Sequence, residues 1–386
     1  MTVDRILVTH AGALPRSDKL NKVFRLQGLT APVDKAALAA DVKAEVVQVV
    51  RQQIECGVDS VNDGELSKSN FLFYVLDRIS GITLREVDPA NAPPRLDISG
   101  RDRKEFPEYF AAGKGGFSDS QNKTRMFCTT DLRYVGKETL KADLENFRNA
   151  LKGVDPASAF LPALAPGTIE HWLYDEHYGD KEKFLFGIAD AMAEEYRAIV
   201  EAGFILQIDD PDLPDGWQMF PEMTVAQYRD YADLRVAALN RALKGLPKEK
   251  IRLHVCWGSA HGPHHQDIPL ADIIDTVFSV HAGQYSIEAA NPMHEHEWRV
   301  FEKTKLPQDA ILIPGVVGHC TDFIEHRELV AERLVKYAKL VGRERVMAGT
   351  DCGLGWRVGH PSIAWGKLKS MAEGAALATK ELWGRN

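Results

Sequence analysis

The sequence lacks the features that mark membrane, secreted and nucleic-acid-binding proteins. It has no run of about 18 uncharged apolar residues, so no transmembrane helix is predicted. Its first residues, MTVDRILVTH, lack the basic start and apolar core of a signal peptide, which favours a cytoplasmic location. The formal net charge of −8 argues against a general nucleic-acid surface, because phosphate binding requires a basic face.

Cysteine is also scarce: the 386 residues include five, at positions 56, 128, 256, 320 and 352. So few in a long chain do not form a disulfide framework, and the thiols are expected to be free, metal-bound or redox-active. Neither GxGxxG nor GxxxxGK[ST] follows the first predicted strand, so the common nucleotide-binding folds lack their signature. The composition, 45% hydrophobic and 26% charged, is that of an ordinary globular protein.

Short apolar segments alternate with helical patterns through most of the chain. The predicted strands cover 6–12, 60–65, 160–166, 205–211, 251–258, 285–291, 311–317 and 345–353. Near-continuous apolar strands joined by helices form parallel sheets, and eight such units predict a closed (β/α)8 TIM barrel. Residues 66–158 are predicted to be an insertion after strand 2, with a hairpin over 82–99, a strand near 126–135 and a helix over 137–152. The chain 1–386 is then a single barrel domain.

Chemically active side chains stand at the predicted strand ends, where a barrel places its catalytic groups. His254 and Cys256 are two positions apart on one strand, so their side chains share a face. Glu288 and Cys352 end later strands and complete a set of one imidazole, two thiolates and one carboxylate, which suits Zn²⁺. His10, at the end of strand 1, is expected to line the substrate site.

Several of these residues also fit simpler structural roles. A lone cysteine at a strand end is commonly a small buried hydrophobic residue, and Asp209 and Asp210 could cap the following segment. Glu288 needs a charged partner or a metal, because a buried unpaired carboxylate is costly. The histidines at 261, 264 and 265 flank Gly262 and Pro263 and are interpreted as loop residues. Those at 294 and 296 do not share a helix face and are left out of the ligand set.

The strand ends taken together resemble the cobalamin-independent methionine synthase family, in its catalytic C-terminal barrel. The resembling segments, in chain order, are ILVTHAGALPR (6–16), VNDGE (61–65), LQIDDP (206–211), HVCWG (254–258), SIEAAN (286–291), IPGVV (313–317) and TDCGL (350–354). The resemblance implies a zinc ion held by His254, Cys256, Glu288 and Cys352. It also implies an amino-acid thiol held by Glu65, Asp209 and the turn at Gly12, and a folate donor packed on Trp172.

Three departures from the family pattern affect the substrate and the proton donor. The family's Ile-Gly-Ser after strand 1 is Ala11-Gly12-Ala13 here, which removes a hydroxyl. The family's proton-donating histidine lies one position beyond His319, so Cys320 takes its place unless the loop shifts. The full-length synthases carry a second, N-terminal barrel, for which this chain has no room.

The expected function is zinc-dependent alkyl transfer to a thiol, most directly methyl transfer from methyltetrahydrofolate or another donor to homocysteine. His319 is the candidate acid for the leaving group, since histidine titrates near neutral pH. The expected partners are a small-molecule thiol and an alkyl donor, and a homo-oligomer is compatible with the sequence.

Three alternatives stay open. One is an epoxyalkane:coenzyme M transferase, although Glu65 and Asp209 would repel a sulfonate. Another is a metal-free lyase of the uroporphyrinogen decarboxylase type, and the third is a zinc protein without catalytic activity.

Overall fold

The computed structural model describes residues 4–27, 34–88, 96–115, 124–259 and 261–384. The strands are β1 (Leu7–Val8), β2 (Ser60–Val61), β3 (Ile79–Glu86), β4 (Thr124–Tyr134), β5 (Ser158–Leu164), β6 (Leu173–Asp175), β7 (Ile205–Asp209), β8 (Ile251–Val255), β9 (Gln284–Ile287), β10 (Ile311–Val317) and β11 (Met347–Thr350).

The helices follow the strands in the order expected of a barrel. They are α1 (Asp18–Gln27), α2 (Lys35–Glu55), α3 (Gly100–Glu105), α4 (Pro107–Ala111), α5 (Lys137–Ala150), α6 (Pro166–Trp172), α7 (Lys181–Glu201), α8 (Asp212–Met219), α9 (Val225–Ala242), α10 (Leu270–Phe278), α11 (Arg327–Val341) and α12 (Pro361–Trp383). Short 3₁₀ helices cover Phe73–Asp77, Lys248–Lys250, Glu295–Glu302 and Arg343–Arg345. Within the described ranges, no helix combines the length and the apolar character that a membrane crossing would need.

Eight parallel strands form one sheet in the order β1-β11-β10-β9-β8-β7-β5-β2. The two end strands, β1 and β2, approach each other, and the Asp59 N–H donates to the Val8 carbonyl at 2.8 Å. The sheet is therefore a nearly closed barrel, and the predicted (β/α)8 fold is confirmed. Strands β7 and β8 are buried along their whole length, as expected of strands covered on both faces.

A second, three-stranded sheet lies outside the barrel, in the order β3-β4-β6. Strand β3 pairs antiparallel with β4, and β4 pairs parallel with β6. The predicted hairpin over 82–99 is therefore wrong in its described part, because β3 pairs with β4 and not with a strand inside that range. Residues 89–95 lie outside the described ranges. Helix α5, assigned by the sequence to the insertion, packs against α2 and α7 in the ring of barrel helices.

Helix α3 of the inserted segment is fastened to α8, the helix that follows β7. The Arg101 guanidinium donates to the carbonyls of Trp217 (2.7 Å), Phe220 (3.1 Å) and Met223 (2.7 Å). It also lies 3.3 Å from the centre of the Trp217 ring. Since α8 begins at the C-terminal end of a barrel strand, these contacts hold the insertion against the end of the barrel that carries the predicted site.

Candidate active site

Two barrel strands bring an imidazole and two thiols together. The ligating atoms of His254, Cys256 and Cys352 all lie within 4.8 Å of one another. The two sulfur atoms are 3.8 Å apart and both cysteines are free. Thus residues at the ends of β8 and β11, chosen from the sequence as ligands, meet at one place.

The donor set fits a zinc ion on two observations. Two thiolates bound to a tetrahedral Zn²⁺ at about 2.3 Å are about 3.8 Å apart, and the two Sγ atoms in this structure are 3.8 Å apart. The Nε2 atom of His254 is buried and has no hydrogen-bond partner, although a buried polar atom normally has one. Its other ring nitrogen, Nδ1, lies 3.1 Å from the Ser286 hydroxyl, an outer contact that orients a ligating imidazole.

The surroundings of this cluster favour a charged imidazole and thiolate. A hydrogen bond from Cys256 lowers the pKa of the Cys352 thiol well below its ordinary value. Burial alone would lower the pKa of His254, but the negative charges of Cys352 and the nearby carboxylates raise it. A metal cation in this place would replace the proton that these groups share.

Glu288, the fourth predicted ligand, lies in a neighbouring group with His319 and Asp351, whose ligating atoms are also within 4.8 Å of one another. One carboxylate oxygen of Glu288 accepts the Trp257 N–H at 2.7 Å, and the other accepts the Asn291 amide at 3.0 Å. Both oxygens are therefore satisfied by N–H donors. The structure brings three of the four predicted ligands together and holds the carboxylate beside them.

His319 links this second group to the cysteines. Its Nε2 atom is 3.1 Å from the Ser259 hydroxyl and 3.2 Å from the Cys320 sulfur. The Ser259 hydroxyl is in turn 3.7 Å from the Cys352 sulfur. Burial alone would lower the pKa of His319, but the Cys320 contact and nearby negative charges raise it to about 10. His319 thus lies beside the cysteine cluster in surroundings that favour its protonated form, and Cys320 lies next to it.

The acidic part of the site starts at the end of β2. Glu65 is buried and pairs with Lys68, whose ammonium is 3.0 Å from the carboxylate and 2.8 Å from the Pro162 carbonyl. Gly12 packs directly on this carboxylate: a Cβ built at position 12 would be 2.6 Å from Glu65 Oε1. Gly12 and Glu65 are therefore neighbours, and Lys68 offsets much of the negative charge.

Asp209 ends β7 beside His254, with which it is paired in register. Its carboxylate accepts a hydrogen bond of 2.8 Å from the Gln207 amide. Burial and the charge of Glu65 raise the pKa of Asp209 to about 7. A buried carboxylate of this kind favours a cationic group brought to it by a ligand.

His10 has both ring nitrogens engaged inside the protein. Its Nε2 atom is 2.9 Å from Gln53 Oε1, and its Nδ1 accepts the Gly12 N–H at 3.2 Å. Burial lowers the pKa of His10 to about 4, so the ring is neutral at ordinary pH. It supports the turn at Gly12 from behind.

Trp172 ends α6 and is half-buried in the wall of a cavity of about 70 Å³. The cavity is lined by Phe73, Leu96, Thr124, Arg125, Met126, His171, Trp172 and Tyr174. Several of these residues belong to β4 and β6, so the outer sheet forms one side of it. The candidate donor-binding tryptophan therefore lines a cavity shared with the outer sheet, and none of the proposed metal ligands is among the lining residues.

Sequence reasoning missed residues that hold the site in place. Lys68 was detectable, because its spacing of three residues from Glu65 in GELSK suits an ion pair. Ser286, Gln207 and Arg252 are polar residues in otherwise apolar strands, and that contrast was their only sequence signal. His294, left out as a ligand, is indeed engaged elsewhere: its two nitrogens contact Glu297 and Asp267.

Comparison with known proteins identifies the family to which the chain is related. The sequence model of the family described as "Cobalamin-independent synthase, Catalytic domain" matches residues 163–377, more than half of the chain. The methionine synthase of Thermococcus kodakarensis is 26% identical over 372 residues, covering 96% of this chain and 93% of that protein. The methionine synthase of Pyrococcus horikoshii is 26% identical over 380 residues, covering 96% of this chain and 92% of that protein.

Solved structures show the same fold. A B12-independent methionine synthase from Shewanella, in complex with selenomethionine, superposes with a TM-score of 0.74. It is 20% identical to this chain, covering 98% of this chain and 99% of that one. Taken with the family match over residues 163–377, these findings identify the chain as a member of the cobalamin-independent methionine synthase family, in its catalytic domain.

Proposed function

We propose that this protein transfers a methyl group to the sulfur of homocysteine and thereby forms methionine. In this reaction the sulfur–carbon bond forms, the bond between the methyl group and its donor breaks, and the leaving atom of the donor takes up a proton. The observation that carries the proposal is the cluster of His254, Cys256 and Cys352, with its orphaned imidazole nitrogen. Family membership supports the same reaction.

The metal in this proposal is Zn²⁺, held by His254, Cys256 and Cys352, with Glu288 as the fourth ligand. When bound there, the ion would lower the pKa of a substrate thiol and keep it as a thiolate. Glu288 reaches the ion only by exchanging its present N–H donors, Trp257 and Asn291, for the metal. These donors therefore make Glu288 the ligand that is most easily displaced.

The thiol substrate is oriented by its charged amino-acid end. Asp209 places a buried carboxylate beside His254, which suits the ammonium group of homocysteine. Glu65 and Lys68 form an ion pair next to Gly12, and we assign this pair to the polar end of the same substrate. A thiol lacking the ammonium group would leave Asp209 with the Gln207 amide as its hydrogen-bond donor and no cation from the substrate.

The leaving group receives its proton from His319. This histidine is buried, its Nε2 atom is 3.2 Å from the Cys320 sulfur, and the Cys320 contact and nearby negative charges raise its pKa, which favours the protonated ring that a proton donor needs. The alkyl donor is assigned to the side of Trp172, where an aromatic ring can stack on a flat donor such as a folate. His10 was predicted from the sequence to line the substrate site. Its proposed role is indirect: it accepts the Gly12 N–H and so holds the turn that contacts the substrate.

The decisive experiment is zinc X-ray absorption on the purified protein, alone and with homocysteine or coenzyme M. The expected shell has two sulfur atoms and gains a third with homocysteine, because the substrate thiolate joins the ion. The Cys352→Ser variant should lose one sulfur, whereas Cys56→Ser, which alters a distant thiol, should not.

Other results would redirect the assignment. A third sulfur from coenzyme M alone would favour the epoxide-opening transferase. A complete shell that no thiol changes would favour a non-catalytic zinc protein. Metal-free protein that shows decarboxylase activity and transfers no methyl group would favour a lyase and overturn the proposal.

A further inference from the structure

A fully buried arginine lies inside the barrel below the acidic part of the site. Arg252 is on β8, two residues before His254, and its side chain has no measurable exposure. Its guanidinium donates to Gln284 (2.9 Å), Thr9 (3.1 Å), Ser60 (3.2 Å) and Gln207 (3.3 Å). All four acceptors are neutral side chains: Gln207 and Gln284 lie on the strands beside β8, and Thr9 and Ser60 lie at the two end strands of the sheet. A cation buried without a contacting carboxylate is costly, which calls for a reason to place it there.

Gln207 connects this arginine to Asp209. The amide oxygen of Gln207 accepts from Arg252, and its nitrogen donates to Asp209 at 2.8 Å and to the Ala11 carbonyl at 2.7 Å. If the amide turned over, its NH₂ group would face a guanidinium and its oxygen would face a carboxylate and a carbonyl. Arg252 therefore fixes the orientation of Gln207, since a guanidinium is a donor only.

The same amide is the hydrogen-bond donor that the described residues offer to the Asp209 carboxylate. With one oxygen held by Gln207, the other is left for a ligand. The bond to the Ala11 carbonyl fixes the turn that precedes Gly12, so one amide holds both the aspartate and the turn beside Glu65.

From this chain of contacts we infer that Arg252 is a positioning residue that, through Gln207, orients Asp209 to bind the ammonium group of the thiol substrate. The inference rests on the proposed function, because it requires an amino-acid thiol. Arg252 itself touches no substrate. Its effect on the reaction is to raise the affinity for the part of the substrate that does not react.

The test compares two thiols in three variants. Homocysteine carries the ammonium group, and 4-mercaptobutanoate is the same thiol without it. Arg252→Met removes the guanidinium while keeping a long side chain, and Gln207→Leu removes the amide. Gln284→Leu is the matched control, because it removes another hydrogen bond of Arg252 that does not lead to Asp209.

We expect Arg252→Met and Gln207→Leu each to raise the KM for homocysteine about tenfold, the effect of losing one oriented charged hydrogen bond. The kcat should stay within about twofold, because the reacting atoms keep their partners. The KM of the double variant should be no higher than that of either single variant, since both substitutions break the same chain of contacts from Arg252 through Gln207 to Asp209. Inhibition by 4-mercaptobutanoate should not change, and Gln284→Leu should behave as the wild type.

The outcomes separate the inference from the function on which it rests. Wild-type protein that does not methylate homocysteine defeats the proposed function before any variant is compared. The role of Arg252 is overturned if active variants lose the same factor in affinity for homocysteine and for 4-mercaptobutanoate. It is also overturned if they keep the wild-type KM for homocysteine. Circular dichroism establishes that each variant is folded, and Gln207→Leu decides the question if Arg252→Met does not fold.

Discussion

Gly12 is the residue whose replacement tests the acidic part of the site most directly. Its φ of +131° is disfavoured for other residues, and a Cβ there would be 2.6 Å from Glu65 Oε1. We predict that Gly12→Ala moves the Glu65 carboxylate, raises the KM for the thiol about tenfold or more, and destabilises the protein by about 1–3 kcal/mol.

The matched control for that variant is Gly203→Ala. Gly203 also has a positive φ, +95°, but a Cβ there would meet nothing within 4 Å. It should therefore show the backbone strain without the change in KM. Steady-state kinetics measures the change in KM, and urea unfolding measures the loss of stability. Equal KM values in both variants would show that Glu65 takes no part in binding the substrate.

His10 gives the protein a predictable response to acid. Its folded pKa of about 4 is below the unfolded value of 6.5, so the unfolded chain takes up a proton first as the pH falls. This residue therefore contributes stability above pH 6.5, and we predict a loss of about 3 kcal/mol between that pH and about 4.

The His10→Gln variant should lack this part of the pH dependence. Urea unfolding between pH 4 and 8 measures it as the difference between wild-type and variant curves, in which the other titrating groups cancel. Parallel curves would mean that His10 does not remain neutral in the folded protein.

At the scale of single elements, the attachment of α3 to α8 can be tested. Arg101→Met removes three hydrogen bonds to carbonyls of the α8 region and the stacking on Trp217. We predict that amide exchange in α3 becomes on the order of 10- to 100-fold faster, because the helix opens locally.

Arg103→Met is the control within the same helix. Arg103 pairs with Asp97 at the surface, so its replacement changes the charge equally and leaves the α8 contacts intact. Hydrogen-exchange mass spectrometry should then show wild-type rates in α3. Equal acceleration in both variants would show that the helix is held by other contacts.

The elements that the sequence predicted well are those with a local pattern. The alternation of apolar strands and helices gave the barrel, and because its strand ends meet, it also indicated that His254 and Cys352 would converge. In the outer sheet the sequence predicted the strand near 126–135, which is β4, but not its pairing with β3, since the two strands are far apart in sequence and share no turn signal. The polar links of Arg252 and Gln207 depend on which side chains face each other inside the closed barrel, which no single strand reveals.

For the whole molecule, the proposed metal joins opposite parts of the barrel sheet. His254 lies in β8 and Cys256 follows it directly, whereas Cys352 follows β11, with β9 and β10 between them in the sheet. A ligand that binds only the folded form stabilises it by about 4 kcal/mol at 1,000 times its Kd. We predict that chelation lowers the melting temperature by at least about 5 °C.

Calorimetry with and without chelator, followed by added zinc, measures this shift. The Cys352→Ser variant is the control, since it should melt at the lower temperature with or without chelator. A wild-type protein whose melting temperature chelation leaves unchanged would contradict the assignment of these residues as metal ligands.

The division of the site along the chain also matters for the molecule as a whole. The segment that matches the family, residues 163–377, contains the proposed metal ligands and Asp209. Gly12 and Glu65 lie before it, and they reach the site because β1 and β2 complete the barrel. The proposed metal ligands therefore come from one part of the sequence, whereas the residues proposed to recognise the substrate come from both parts.

The distance between the two cysteines along the chain has a consequence for synthesis. Cys256 and Cys352 are separated by 96 residues, and a ribosome adding about 5–20 residues per second needs about 5–20 s to make the second after the first. During that interval the growing chain carries an imidazole and a thiol without their partner sulfur. If these residues hold the proposed ion, its tight binding must wait until β11 has left the ribosome and joined β10, so that metal loading would be one of the last events in maturation.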